Sequence, residues 1–391
     1  MEFPIAELDF DAGVMRIERS DGAIFEERLR DYGGEPQIRR LRIDYTARRL
    51  TLQLPDGNVA DVEVHLGPAQ DAFLKSRPVV YLDQNHWSTI AAWRCGTRPV
   101  TAKEACGAEE ICRLACADKI VLPVSGGHMV ETGALYGRRR QEVACAVLQL
   151  SRGWLMRNPM WVRRDELATA RDGNPGPAHH VFTLAADDLF SRHVRVPDAD
   201  GMPPFAAELT RHLINVSALY DTLVAPAKVP DEGGRAAVEA WGSDQAAAAA
   251  RLRADRASPE MVWKVAHGRL LVDLGQEILD LWPETSTIDE WLPRSRDDVG
   301  RMPYLARLRA VMYGRLRNGS PWVAGDFNDV HYLGCAAGYA DLVVGERRTI
   351  ADLRRARNVP RGARLTVSLV EAVQALADLP ASAQTVTAAN G

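Results

Sequence analysis

Acidic side chains recur in this chain where short apolar runs end. Asp83 directly follows the run VVYL, and Glu131 lies in SGGHMVE, shortly after the run KIVLPVS. Asp329 begins the predicted helix that comes before the run LVV, and Glu346 follows that run. Short apolar runs are typical of buried parallel strands, and ligands bind beyond the carboxyl ends of such strands. We therefore expect these four carboxylates to meet at one edge of a sheet.

The acids also have ordinary structural interpretations. Asp83 could cap the helix that follows it, although Asn85 or Ser88 could do so equally, which leaves Asp83 surplus to capping. Glu131 could be a solvent-facing helical acid. Its neighbours in HMV and TGAL are apolar or small, however, and this favours a position in a cleft.

The segment GDFNDVHYLGCAAGYADLVVGERR adds two further acids. Asp326 is a natural helix N-cap, and Asp329, three residues later, both suits the helix dipole and borders the predicted buried stripe of the helix. Asp341 begins the next predicted strand, which Glu346 ends. Carboxylates gathered at one edge would repel one another unless a cation lay between them. The hard cations Mg²⁺ and Mn²⁺ prefer such oxygen ligands.

The elements that position these acids follow from the hydrophobic patterns. In residues 1–72, the segments VMRIERS, IRRLRIDY, RLTLQLP and ADVEVHLG alternate apolar and polar residues, which predicts a small antiparallel β domain, a sandwich or half-barrel. Strands then alternate with helices in 76–160 and again in 301–380, which predicts a parallel sheet and an α/β fold. Residues 161–300 are interpreted as a mainly helical insertion, and 381–391 as a disordered tail.

Composition narrows the class of protein. The 391 residues carry 48 basic and 52 acidic side chains, so any nucleic-acid contact must come from a local patch and not from overall charge. No apolar run is long enough for a membrane span, and the first residues lack a signal-peptide layout, so we expect a cytoplasmic protein without membrane contact. The six cysteines form no CxxC pair and are expected to be reduced core thiols.

Two arginine-rich stretches could supply that local patch. One, RRTIADLRRARNVPRGAR, sets seven arginines against one acid, and the other follows Glu131. Basic runs are usually solvated faces, but these two flank the acidic strand ends, which suggests contacts to phosphates. The arginines predicted to bind nucleic acid are Arg138, Arg139, Arg140, Arg347, Arg348, Arg354 and Arg355.

The motifs YLDQNHW, SGGHMVE, NDVHYLGCAAGYAD and LVVGER, in this order, resemble those of the PIN domain, a metal-dependent nuclease fold. The resemblance covers residues 76–160 and 300–391. It matches the Asp that ends the first strand to Asp83, the Glu of the next helix to Glu131, and the Asp before the fourth strand to Asp329. A further Asp usually follows that strand; this chain has Glu346 there, and Asp341 could supplement or replace it.

The resemblance implies hydrolysis of phosphodiester bonds with one or two Mg²⁺ or Mn²⁺ ions as cofactor. Asp83 and Asp329 would be direct ligands, and Glu131 and Glu346 would bind through water or orient the site. Asn85, Asp326 and His331 are candidate supporting residues. The implied activity is that of an endoribonuclease acting on RNA in preference to DNA, of bacterial toxin or defence-effector type, with a protein regulator or homo-oligomer as a possible partner.

Three other functions are compatible with parts of the pattern. A catalytically inactive PIN-like module would bind RNA or protein without cleaving, and a structure-specific DNA nuclease would use the same acids on DNA. A phosphatase of the haloacid dehalogenase type needs DxDxT after its first strand. The chain has Asn85 where the second acid should be, which argues against that class.

Overall fold

The computed structural model describes residues 4–29, 38–55, 57–64, 76–185 and 232–379, together with five single positions between 74 and 223. These residues form a mixed α/β structure, as the sequence predicts. The predicted tail 381–391 and much of the insertion between 186 and 231 lie outside the described residues.

Six strands near the N-terminus form one antiparallel sheet in the order β3-β2-β1-β4-β5-β6. The four predicted strands are present, and the sequence analysis missed β1 and β3. In the described residues, β3 and β6 are the edge strands of this sheet. Leu41 and Ile43 are buried between exposed arginines, so period-two alternation determines which face meets the core. The strands are β1 (Ile5–Asp9), β2 (Val14–Glu18), β3 (Ile24–Arg28), β4 (Arg40–Asp44), β5 (Arg49–Gln53) and β6 (Val59–Glu63).

A three-stranded parallel sheet forms the centre of the α/β region. Its strands β7 (Val80–Leu82), β10 (Leu342–Val344) and β11 (Arg364–Thr366) lie in the order β11-β10-β7. The predicted strand KIVLPVS contributes only two isolated bridges, Val121 to Val79 and Val124 to Leu155. Pro123 lies between them and has no N–H to donate, which explains the interrupted ladder. A short antiparallel pair, β8 (Leu155–Met156) and β9 (Phe182–Thr183), lies beyond.

Helices surround this sheet. The first group is α1 (Gln84–Cys95), α2 (Ala102–Cys116), α3 (Gly126–Gly133), α4 (Gly137–Ser151) and α5 (Pro159–Arg171). The central helices are α6 (Glu232–Ala254), α7 (Pro259–Asp273), α8 (Gly275–Leu281), α9 (Thr285–Trp291) and α10 (Ser295–Arg301). The last group is α11 (Pro303–Asn318), α12 (Ala324–Tyr339), α13 (Arg347–Arg355) and α14 (Leu369–Ala377).

The central helices share a core with the α/β region. One continuous cluster of buried side chains includes Val79 and Val343 from the sheet, Leu270 from α7 and Trp291 from α9. The inserted helices therefore share one core with the sheet, and α6 packs on α12, the helix that carries Asp329. Among the described residues, no helix has the length and apolarity needed to cross a lipid bilayer.

The cysteines depart from the predicted pattern. None of the six forms a disulfide bond, but Cys95, Cys106 and Cys116 are exposed, and only Cys112 and Cys335 are buried. The expectation of core thiols is therefore wrong for the three exposed residues.

Candidate metal centre

Asp83 lies where β7 passes into α1 and is 8 % exposed. Its Oδ1 accepts a hydrogen bond from the Gln84 N–H at 2.8 Å, and the Glu346 backbone N–H is a second donor. Asp83 is therefore the N-cap of α1, and the inference that it is surplus to capping is wrong. Because its own N–H bonds to Val344 O at 2.8 Å, Asp83 lies at the carboxyl edge of two neighbouring strands.

Glu131 and Asp329 reach the same place from two other segments. Glu131 lies one and a half turns into α3, and Asp329 lies a similar distance into α12. Together with Asp83 and Asn328 they line one pocket, whose walls are completed by Tyr81, Gly127, His128, Tyr332 and Leu333. Its volume of about 10 Å³ is close to what a single water molecule needs. The pocket has room for one water- or ion-sized occupant.

Glu346 lies at the same edge of the sheet, directly after β10, but outside the lining of the pocket. Its Oε1 accepts a hydrogen bond from Asn85 Nδ2 at 2.7 Å. Asn85 therefore orients Glu346, and its role as a supporting residue of the site stays a prediction.

The acids influence one another electrostatically. Burial raises the pKa of Asp83 to about 6, and the charge of Glu346 acts in the same direction. Burial and the neighbouring acids raise the pKa of Asp329 to about 7 and that of Glu131 to about 8. Water at the pocket mouth screens part of this effect at Glu131, whose side chain is exposed. A bound cation would reverse these shifts, because it favours the ionised carboxylates.

The carboxylates do not form a ready-made ligand set. Among the residues that the structure describes, no three His, Cys, Asp or Glu side chains are arranged to hold a metal ion as they stand. Asp83, Glu131 and Asp329 share the pocket, but their side chains would have to close around an ion to bind it. The donor chemistry fits Mg²⁺ or Mn²⁺, since carboxylate and amide oxygens are present and the lining contains no cysteine.

His128 holds this edge of the sheet together, and the sequence analysis missed it. Its Nδ1 accepts from the Ser125 N–H at 3.0 Å, which assigns the proton to Nε2, and Nε2 donates to Leu82 O at 2.7 Å. Burial lowers the pKa of His128 to about 4, so the ring is neutral. Its place three residues after Ser125, at the predicted start of a helix, was the available signal, because that spacing allows a capping-box interaction.

Close packing of α3 on α12 sets the distance between Glu131 and Asp329. A Cβ at Gly127 would lie 2.9 Å from Tyr332 Cδ2, and one at Gly126 would lie 2.9 Å from Tyr332 Oη. The pair of glycines in SGGHMVE is therefore required by the approach of the Tyr332 ring.

Asp341 does not belong to this centre, and its prediction as a catalytic residue is contradicted. It precedes β10 and therefore lies at the amino edge of the parallel sheet. Its Oδ2 accepts from the Val79 N–H at 2.8 Å, just before β7 begins. The sequence analysis placed Asp341 next to β10 correctly. It overlooked that the first and last residues of a strand lie at opposite edges of the sheet.

Asp326 and His331 have structural contacts. Asp326 is not the N-cap of α12; it lies inside the first turn, and its Oδ2 accepts from the Val323 N–H at 3.0 Å and from Arg315 Nη1 at 2.6 Å. His331 is buried, with Nδ1 2.5 Å from Tyr304 Oη, and it does not line the acidic pocket. His331 lies two positions after Asp329, about 200° around α12 and so on the opposite face, and its role as a supporting residue stays a prediction.

The predicted arginine patches are only partly available for ligands. Arg140 is buried, and its Nε donates to Leu223 O at 3.1 Å, so its assignment as a nucleic-acid contact is wrong. Arg138 pairs with Glu142 at 2.8 Å, and Arg139 is exposed.

The remaining arginines lie on α13. Arg347 and Arg348 follow Glu346 directly, and Arg348 pairs with Asp326 at 3.3 Å. Arg354 and Arg355 are about 12 Å further along the helix axis, at the end distant from the acids. Arg354 Nη2 donates to Leu365 O at 2.6 Å, and Arg355 pairs with Asp352 at 3.0 Å. Phosphate contacts by these exposed arginines stay a prediction.

Comparison of the chain with protein-family models, with curated proteins and with solved structures finds no significant match.

Proposed function

We propose that this protein is a metal-dependent nuclease that hydrolyses phosphodiester bonds, most specifically an endoribonuclease. The observation that carries the proposal is that Asp83, Glu131 and Asp329 line one ion-sized pocket at the carboxyl edge of a parallel sheet. These residues come from three segments up to 246 positions apart in the chain (329 − 83). Carboxylates brought together in this way repel one another when ionised, and a cation between them would stabilise their ionised forms.

The residues suited to hold Mg²⁺ or Mn²⁺ are Asp83 and Asp329 directly, with Glu131 and Glu346 acting through water. A bound divalent ion supplies a more acidic water molecule and stabilises negative charge on a phosphate. The protein's own contribution is to keep these carboxylates at the edge of the sheet. His128 fixes the end of β7, and Asn85 holds Glu346.

The resemblance to the PIN domain supports the same conclusion. The motifs that carry it contribute Asp83, Glu131 and Asp329 to a single pocket, as a PIN-like fold requires. From that resemblance we take the preference for RNA, the toxin or defence-effector role and a cytoplasmic location in a bacterium.

A second candidate is a catalytically inactive PIN-like module that binds RNA or protein. The observation in its favour is that no three potential ligands in the described residues are arranged to hold an ion. Binding of Mn²⁺ by the full chain separates the two candidates, because an inactive module has no use for the ion.

The test of the proposal is cleavage of single-stranded RNA by the purified full chain. We expect internal cleavage with Mg²⁺ or Mn²⁺ and none with excess EDTA, read out as shortened fragments of an end-labelled oligonucleotide. A single-stranded DNA of the same sequence, run in parallel, reports whether the enzyme is a DNA nuclease instead. Absence of metal-dependent cleavage of both polymers would remove the nuclease proposal.

Stabilisation by metal should depend on pH. The pKa values of Asp83, Asp329 and Glu131 are raised in the folded protein, so the unfolded chain loses these protons first as the pH rises. Without metal, the stability contributed by the protonated acids is present below about pH 4 and is lost by about pH 8. Mn²⁺ should therefore raise the Tm clearly near pH 8 and very little near pH 5. An equal rise in Tm at both pH values would contradict binding at these carboxylates.

A further inference from the structure

An aromatic pocket lies between the inserted helix α6 and the connection from α11 to α12. Trp241 from α6 contacts Trp322 and Phe327, with ring centroids 4.8 Å and 5.2 Å apart in edge-to-face geometry. These three rings, together with Val238, Glu239, Gly242, Ser243, Ala246, Pro321 and Val323, line a cavity of about 380 Å³. This volume lies within the range of small-ligand pockets.

A second pocket lies further along α6 and is strongly basic. Arg253, Arg256 and Arg317 line a cavity of about 290 Å³ whose other walls are apolar. Within the described residues, none of the three arginines forms an ion pair, and the pocket lining contains no acidic residue. Three uncompensated cations around one cavity are complementary to an anion.

Helix dipoles explain only part of this arrangement. Arg253 and Arg317 lie in the last turns of α6 and α11, where a positive charge is favourable. Arg256 lies beyond the end of α6, with φ +49°, a backbone conformation that non-glycine residues rarely adopt. The dipole account therefore leaves Arg256 and the cavity itself unexplained.

The two pockets lie on one face of α6. Gly242 and Arg253 are eleven residues apart, which corresponds to about three turns and about 16 Å along the helix. Both pockets are closed on the other side by α11 or by the connection from α11 to α12.

The aromatic pocket and the acidic centre both draw residues from α12. Phe327 and Asp329 are two positions apart, which corresponds to about 200° around the helix, so their side chains lie on different faces of α12. On the other side, Arg348 Nη2 donates to Pro321 O at 2.6 Å, and Arg348 is two residues from Glu346. The aromatic pocket is therefore linked to the acidic centre through α12 and through Arg348 of α13, and α6 continues from it to the arginines.

We propose that this face of α6 binds single-stranded nucleic acid, with a base in the aromatic pocket and backbone phosphates at the arginine pocket. Proteins that bind single strands combine stacking rings with positive charge in this way. A duplex keeps its bases paired and stacked inside, so it cannot offer a base to the rings. The binding itself does not depend on the proposed function. Only the further statement that the bound strand is the substrate of the acidic centre rests on it.

The test measures binding, not cleavage. The full chain is titrated in EDTA against a fluorescein-labelled oligouridylate roughly 12 nucleotides long, and anisotropy gives Kd at several salt concentrations. The double variant Arg256→Ala/Arg317→Ala should raise Kd about tenfold and lower the salt slope by about 1.4, because each lost phosphate contact removes about 0.7. Trp322→Leu should raise Kd at least about fivefold and leave the salt slope unchanged.

Matched variants separate this site from general charge effects. Arg251→Ala removes the same charge from the same helix, but Arg251 is exposed and lies about 200° around α6 from Arg253, so Kd should stay within about twofold. Arg256→Lys/Arg317→Lys keeps the charge and should restore the salt slope.

Equal Kd values for the pocket variants, the Arg251→Ala variant and the parent chain would overturn the inference, as would equal affinity for duplex RNA. Because no metal is present, these results are independent of the nuclease proposal. If the parent chain cleaves RNA but the pocket variants bind the oligonucleotide with unchanged Kd, the binding site alone is refuted. If the pocket variants lose binding but the parent chain shows no cleavage, the nuclease proposal alone is refuted.

Discussion

Replacing Asp83 with Asn should lower metal-dependent cleavage of single-stranded RNA by about a hundredfold or more, with the protein still folded. The substitution removes one negative charge from the pocket shared with Glu131 and Asp329. Loss of a charged ligand weakens stabilisation of the transition state by several kcal/mol, and each 1.36 kcal/mol corresponds to about tenfold in rate. Asn keeps an oxygen that can accept the Gln84 N–H bond, so α1 retains its cap. The measurement is the initial rate with saturating Mn²⁺.

Asp341→Asn is the matched control for this experiment. It makes the same chemical change in a residue beside a strand of the same sheet, but at the amino edge, where Asp341 Oδ2 accepts from the Val79 N–H. We expect cleavage within about twofold of the parent rate, since surface-edge substitutions away from a site have small effects. If Asp83→Asn and Asp341→Asn behaved alike, the acidic pocket would not be the reaction centre.

Replacing Arg315 with Met should destabilise the protein by about 3 kcal/mol or more. Arg315 is 1 % exposed, and its guanidinium bonds to Asp326 at 2.6 Å and to Asp352 at 2.9 Å. It thereby joins α11, α12 and α13. Its Cζ also lies over the Trp322 ring, 4.1 Å from the ring centroid. Removing one partner of a buried ion pair leaves the other charge uncompensated, which typically costs about 3–5 kcal/mol. The measurement is the free energy of unfolding in urea.

Two comparisons make that result interpretable. Arg113→Met removes an arginine whose partner Glu110 lies on the surface, and it should change stability by less than about 1 kcal/mol. The double variant Arg315→Met/Asp326→Asn should recover part of the lost free energy of unfolding, because it also removes the buried charge of Asp326 that Arg315→Met leaves without its partner. A loss below about 1 kcal/mol for Arg315→Met alone would show that Arg348 and Arg355 already compensate the two aspartates.

The strands and helices of the α/β region were largely predictable because their hydrophobic patterns are strong. β7, β10 and β11 all lie within predicted apolar runs, and α3 and α4 divide the stretch from His128 to Gly153 as expected. The segment around Pro123 was misjudged, because an apolar run says nothing about whether the backbone can continue a ladder. β1 and β3 were missed because their residues are half-buried or exposed, which leaves little alternation to detect.

The sequence identified the acids that line the pocket, but it did not show which nearby residues should be left out of the site. Asp83, Glu131 and Asp329 were identified because they lie near predicted strand ends and match the PIN-like motifs in order, although Asp83 also has a structural use as the N-cap of α1. Asp341 was included wrongly, since sequence alone did not exclude it from the functional edge. Arg140 was included because a run of three arginines gives no sign that one of them turns inward.

The pockets on α6 could not have been predicted at all. Trp241, Trp322 and Arg253 lie in segments that are far apart in sequence or ordinary in pattern, and only the packing of α6 against the α11–α12 connection brings them together.

The bare backbone of Gly126 and Gly127 has a consequence for any attempt to re-engineer this molecule. Because neither glycine has a Cβ, the Tyr332 ring packs directly against the start of α3. The separation of α3 and α12, and with it that of Glu131 and Asp329, therefore depends on these two glycines. Alanine at Gly127 would collide with the Tyr332 ring itself and push α3 and α12 apart, although no acidic group had been changed. Substitutions at glycines that have no functional group would therefore change the geometry of the acidic pocket.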